Sequence, residues 1–281
     1  MIIRTLLLLI AALPATTFAA EHIDAAPLGS LYQQDANRFY EPSQLIKLES
    51  ENESFYVFHQ EYMAAAREGI VILLPDMQTP PLNNSGISFL AKRLSDDGYD
   101  TYTLTPPDLS YAPSLLEQDI ALPDAEEPAQ QTLAPISESN LDEYKMALIS
   151  RFEVLYNTLS MTQTEKLVVV AFGNSAGLFG EHLATLPNLR IDAFAVVSPQ
   201  LPNATRQKHL ASNLSLISPA LLDVYYSFDN PIVVDNTPDR ARWARKNSKF
   251  DYRQRELFGE KTDPLQHQRL RKELLGFLRV L

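Results

Sequence analysis

The sequence contains no cysteine, which excludes disulfides, thiolate metal sites and a lipid-modified N-terminal cysteine together. Histidine is scarce, with five in 281 residues, so chemistry that needs an imidazole has few candidates. Positive charge is also short: 24 Lys and Arg against 35 Asp and Glu leave a formal net charge of −11. Such a surface repels phosphate backbones and anionic headgroups and speaks against nucleic-acid and peripheral-membrane roles. The only basic cluster, Arg240 to Lys249, reads as the solvated face of an amphipathic helix. Past the first twenty residues no apolar run approaches the roughly 18 residues of a membrane span, so the mature chain is expected to be soluble, with no stable membrane insertion. There is no G-x-G-x-x-G, no Walker pattern and no metal-ligand spacing of histidines and carboxylates, and neither a cofactor nor a metal is expected.

Arg4, the apolar run Leu6 to Leu13 and the small residues Ala15 to Ala20 follow the grammar of a secretory leader, with Thr17 and Ala19 before the cut. Residues 1–19 are therefore expected to be a cleaved signal peptide, 20–43 an extension and 44–281 one domain of a periplasmic or secreted protein. Removing Arg4 makes the mature chain one unit more negative. An exported chain without disulfides must be held by its core, and 45% apolar residues suffice for that.

From residue 44 onward short β-branched runs alternate with segments of helical period, the pattern of a mostly parallel sheet with helices on both faces. The spacing predicts eight strands: Gln44–Leu48, Phe55–Gln60, Ile70–Leu74, Tyr99–Leu104, Lys166–Phe172, Ile191–Val197, Leu221–Tyr226 and Tyr252–Leu257. The first two are too close for a crossover helix and should pair as an antiparallel hairpin. Leu141, Tyr144, Leu148, Phe152, Leu155 and Leu159 share one helical face, as do Leu270, Leu274, Leu278 and Leu281, and both stripes read as core. Six prolines between residues 105 and 139 interrupt the rhythm and mark a long excursion, a flap over a site or a floppy insertion.

The apolar run Leu167 to Phe172 leads into Gly173-Asn174-Ser175-Ala176-Gly177 and then a helical segment, which is G-x-S-x-G between a strand and a helix. That context is a nucleophile elbow, a sharp turn that lifts one side chain above the sheet while small neighbours keep clear. Ser175 is then the candidate nucleophile. The Ala176 amide at the helix start is one candidate oxyanion donor, and the Met77 amide, in the loop after the third strand, is the other. A serine needs a histidine to take its proton and a carboxylate to orient the histidine, in the chain order Ser, acid, His. Asp229 follows the seventh predicted strand and is the acid candidate; Asp223 lies inside that strand, and Asp235 is the fallback. Only His267 follows the acid, and Asp263-Pro264 reads as an N-cap and first helical residue, which puts His267 in the first turn of the last helix. Leu74-Pro75-Asp76 stands where an oxyanion loop would offer amides: proline has none to give, and Asp76 brings negative charge to where an oxyanion would form.

The chain resembles a bacterial family of α/β-hydrolase-like proteins catalogued as domain of unknown function 3530. The likeness rests on Phe39-Tyr40-Glu41-Pro42 with Leu45 to Leu48, on Gly69 to Asp76, on Leu222-Asp223-Val224-Tyr225, on Tyr252-Arg253-Gln254 and on Leu275-Gly276-Phe277-Leu278. It implies an α/β-hydrolase sheet and no particular substrate. Two functions are expected from these residues: a periplasmic serine hydrolase acting on a small-molecule or acyl substrate, or a catalytically inactive hydrolase-fold protein that binds or scaffolds. The sequence specifies neither the substrate nor the oligomeric state.

Overall fold

The computed structural model describes residues 28–50, 53–109, 136–162, 164–186 and 189–281. The expected leader, and residues 110–135 of the proline-rich excursion, lie outside the described residues. The strands are β1 (Leu45–Glu49), β2 (Ser54–Gln60), β3 (Gly69–Leu74), β4 (Tyr99–Leu104), β5 (Lys166–Phe172), β6 (Ala193–Val197), β7 (Ala220–Tyr226) and β8 (Tyr252–Leu257). The helices are α1 (Leu28–Phe39), α2 (Ile87–Asp96), α3 (Glu138–Thr158), α4 (Gly173–Thr185), α5 (Ala204–Leu216), α6 (Pro231–Lys246) and α7 (Pro264–Leu278). The eight expected strands are present with ends shifted by a residue or two.

The strands form one sheet in the order β1-β2-β4-β3-β5-β6-β7-β8. β1 and β2 are the expected antiparallel hairpin, β2 runs antiparallel to β4, and the rest of the sheet is parallel. β3, β5 and β6 are buried along their whole length, the near-continuous apolar reading of strands covered on both faces. Alternate residues feed two cores. Val169 and Ala171 of β5 join Leu141, Tyr144, Leu148, Phe152 and Phe179 from α3 and α4. Val168, Val170 and Phe172 join Leu90, Leu94, Leu270 and Leu274 from α2 and α7. Each such fully buried aliphatic side chain contributes roughly 1.5–3 kcal/mol.

The strand order reverses between β3 and β5. The connection after β3 turns one way, to β4, and the one entering β5 returns over the opposite face. At such a switch point the loops leaving neighbouring strands diverge and open a crevice at their carboxyl ends. The two loops here are Pro75 to Gln78 after β3 and the bend at Gly173 after β5. α1 steadies the first: the buried Tyr32 donates its hydroxyl to the Gln78 carbonyl at 2.8 Å.

The structure corrects one expectation about charge. Arg240, assigned to a solvated face, is 1% exposed. Its Nε donates to Asp223 Oδ2 at 2.8 Å, and Tyr252 and Gln254 donate to the same oxygen at 2.7 and 2.9 Å. Asp223 lies in the middle of β7 with no exposure, so this pair fastens α6 to the sheet.

Candidate functional site

β5 ends at Phe172, and the next residue, Gly173, takes φ +53° before α4 continues. That left-handed residue, directly after the strand, is the bend of the elbow, and it is where a lifted side chain would start. Gly173 has no side chain to lift. The small residues two positions to either side of it are Ala171 and Ser175, so the serine serves as the small flank of the bend. Ser175 is the third residue of α4 and fully buried. Its hydroxyl shares a 2.9 Å hydrogen bond with Tyr144 Oη on α3. Burial also pushes the Tyr144 phenol far above its ordinary value, with the bond to Ser175 opposing that shift. The phenol therefore stays neutral, and it provides no base to deprotonate the serine.

The space above Gly173 is filled from the other loop. A Cβ on Gly173 would lie 2.1 Å from Asp76 Oδ2, so only glycine fits there. Asp76 Oδ1 accepts hydrogen bonds from the Met77 and Asn174 amides, both at 2.7 Å, and from Asn174 Nδ2 at 3.1 Å. One amide follows β3 and the other sits at the start of α4, and both point at a single oxygen. Two converging amides of this kind, aided by a helix N-terminus, stabilise a negatively charged oxygen. The oxygen held here is the protein's own carboxylate. Burial nevertheless raises the Asp76 pKa above its ordinary value; the Asn174 and Met77 amides, and then Lys261, pull the other way without cancelling it.

A cavity of about 520 Å³ opens over this floor. Asp76, Gly173, Ser198, Tyr226, Asp229 and Lys261 are among the residues that line it, and neither Ser175 nor His267 is. Asp229 Oδ2 accepts from Ser198 Oγ at 2.6 Å and from the Tyr226 amide at 2.8 Å. Asp229 thus stands in the cavity wall, engaged in bracing the turns after β6 and β7, the first of which carries Ser198 at φ +53°. His267 lies in the first turn of α7 behind the N-cap Asp263 and Pro264, where the sequence puts it. It is 8% exposed, packed beside Gly86 and Phe89. Its Nε2 is 2.9 Å from the Lys261 carbonyl. A carbonyl only accepts, so Nε2 carries the proton and donates, and that nitrogen is closed to a proton from serine.

The structure therefore does not hydrogen-bond Ser175, Asp229 and His267 to one another: each is engaged by a different neighbour. Ala176 is fully buried in α4. Met77 does present its amide at the site, but the amide beside it belongs to Asn174, because the bend falls two residues earlier than the G-x-S-x-G pattern suggests. Asp76, Gly173, Asn174 and Tyr226 are the site residues that the pattern leaves out. Asp76 carries a visible signal, a carboxylate in an amide-donating loop. Gly173 carries a subtler one, as the first residue after the apolar run. Among the described residues no group of three or more histidines and carboxylates could hold a metal, and no helix is long and apolar enough to cross a membrane.

The family described as protein of unknown function (DUF3530) matches residues 6–280. The chain belongs to that family. No curated protein matches the sequence. Solved structures that this DUF3530 chain resembles include Est1E from Butyrivibrio proteoclasticus, 8% identical with a TM-score of 0.59, over 84% of this chain and 99% of that one. Dienelactone hydrolase from Anabaena variabilis is 12% identical with a TM-score of 0.57, over 84% and 95%. A serine hydrolase without lid from Xanthomonas campestris is 13% identical with a TM-score of 0.55, over 84% and 93%. At these identities the likeness shows that the DUF3530 chain has the α/β-hydrolase fold.

Proposed function

We propose that this DUF3530 protein is an α/β-hydrolase-fold binding protein, exported by its leader to the periplasm or beyond, that holds a small molecule in the cavity between Asp76 and Asp229. The observation that carries this reading is Gly173 at the bend, with the Asp76 carboxylate seated on the amides of Met77 and Asn174. An acyl-transfer site needs a nucleophile at the bend and two vacant amides for the oxyanion. Here the bend carries hydrogen, and both amides already hold a carboxylate oxygen. Acyl hydrolysis through Ser175, His267 and Asp229, with Ala176 and Met77 as oxyanion donors, would require Ser175 to leave Tyr144 and His267 to leave Lys261.

The test is ester turnover. Purified mature protein and its Ser175→Ala variant are incubated with p-nitrophenyl acetate and p-nitrophenyl butyrate. Both are expected to match the uncatalysed rate. Saturable turnover by the wild type that disappears in Ser175→Ala overturns the reading.

A further inference from the structure

Among the described residues, two polar atoms beside the cavity accept or donate no hydrogen bond. Tyr226 lines it with 1% of its surface exposed, and among the described residues its buried hydroxyl makes no hydrogen bond. Asp76 presents Oδ2 over Gly173, while its donors all converge on Oδ1. A buried polar group without a partner costs stability, and its persistence beside a cavity calls for a ligand group that completes it.

We infer that this cavity takes an uncharged, hydroxyl-rich ligand, a free sugar or the sugar end of a glycan, whose hydroxyls meet the Asp76 carboxylate and the Tyr226 hydroxyl. The inference rests on the binding reading above and names its ligand class. Charge excludes anions first: among the described residues that line the cavity, Asp76, Asp229 and Glu260 stand against the single cation Lys261. The choice between an ammonium and a hydroxyl follows from donors and acceptors. Four carboxamides, Asn83, Asn84, Gln200 and Asn230, line the wall. Asn83 is spent locally, its Nδ2 on the Pro80 carbonyl and its Oδ1 on Ser85, and Asn230 Oδ1 caps α6 through the Ile232 amide, which among the described residues leaves N–H donors on Asn84, Gln200 and Asn230. An ammonium only donates and would leave those donors and the phenol proton unmatched. A hydroxyl donates to Asp76 and accepts from an amide or from Tyr226, so it satisfies both kinds of group. At the mouth, Phe228 is 68% exposed and its neighbour Phe258 is 72% exposed, with ring centroids 6.2 Å apart. Phe228 also lines the cavity, and such rings offer an apolar face to the C–H side of a sugar. The volume of about 520 Å³ is in the usual range for small-molecule pockets.

The experiment is saturation-transfer NMR and calorimetric titration of the full mature protein. The probes are glucose, galactose, N-acetylglucosamine and maltose, with putrescine and spermidine as cations and acetate as an anion. At least one neutral sugar is expected to bind saturably, with affinity reduced about tenfold in Tyr226→Phe and at least as much in Asp76→Asn. The two variants alter different loops, and the circular dichroism of each reports whether it folds. A maltose response well above that of glucose identifies a glycan end, and equal responses a free sugar. Binding of the polyamines alone, binding of no probe, or sugar binding unchanged in both folded variants overturns the inference. Ester turnover on the same preparation keeps the two readings apart: Ser175-dependent turnover sinks the binding-protein reading, whereas silence in both assays sinks only the ligand class.

Discussion

Two carboxylates are taken out of bulk water in this molecule and treated in opposite ways. Asp223, in the middle of β7, meets the guanidinium of Arg240 and two neutral donors, with both charged side chains at most 1% exposed. Asp76, at the end of β3, meets backbone amides and a carboxamide, and keeps an oxygen turned to a cavity. The first arrangement neutralises its charge and clamps α6. The second holds its oxygen by backbone and carboxamide dipoles, with Lys261 acting on it from across the cavity and no ion pair formed among the described residues, and leaves space beside it. A paired buried charge marks a fastening, and a dipole-held one beside a void marks a place for a ligand.

The largest effect is expected from breaking the clamp. Arg240→Ala leaves Asp223 buried without its counter-charge and should cost about 3–5 kcal/mol in urea unfolding. A loss under 1 kcal/mol would show that the pair does not fasten the helix. Next comes Gly173→Ser. A side chain there adopts a left-handed backbone and meets the Asp76 carboxylate at 2.1 Å, so the variant should lose about 2–3 kcal/mol. Combined with Asp76→Gly, the substitution should cost less than the sum of the two single changes, because the clash is gone and the left-handed backbone strain alone remains.

Asp76→Asn should act in the other direction. Its carbonyl still accepts from both amides, while the cost of burying a charge disappears, a gain of about 1 kcal/mol at pH 8. The pH dependence follows from a raised pKa. In the wild type, the contribution of Asp76 is fully present below its unfolded value of 3.8 and is lost as pH rises through the higher folded value. The melting-temperature advantage of the variant should therefore grow from pH 4 to pH 8. An advantage that shrinks over that interval would mean that the folded protein favours the ionised carboxylate. The smallest effect belongs to Ser175→Ala, which removes one buried hydrogen bond to Tyr144 and should cost about 1 kcal/mol in thermal unfolding.

The alternating apolar runs were enough to predict the sheet, its hairpin and most of the two helical stripes, because strands buried on both faces leave continuous β-branched segments and helices leave a periodic face. The exceptions are at the ends, where Leu159 is the C-cap of α3 and Leu281, expected in the core, lies beyond α7 and is exposed. The position of His267 in the last helix was also legible, since Asp263 and Pro264 are local signals for a helix start. The site was not, for a physical reason. Gly173 and Gly177 flank Ser175 symmetrically, and a pattern of residue types cannot say which glycine adopts the positive φ. That is decided by where β5 stops and by what occupies the space above the bend, and the occupant, Asp76, is 97 residues away in sequence. The burial of Arg240 was hidden likewise: its neighbours Arg242, Arg245 and Lys246 make the segment look solvated, and its partner Asp223 lies on another element.

The most direct measurement is intact-mass spectrometry of purified protein spanning residues 20–281 after exposure to a fluorophosphonate probe, beside a control esterase that becomes fully labelled. With hydrogen at the bend and the amides occupied by Asp76, the DUF3530 chain should keep its unmodified mass. A single adduct that maps to Ser175, and that Ser175→Ala abolishes, would contradict it.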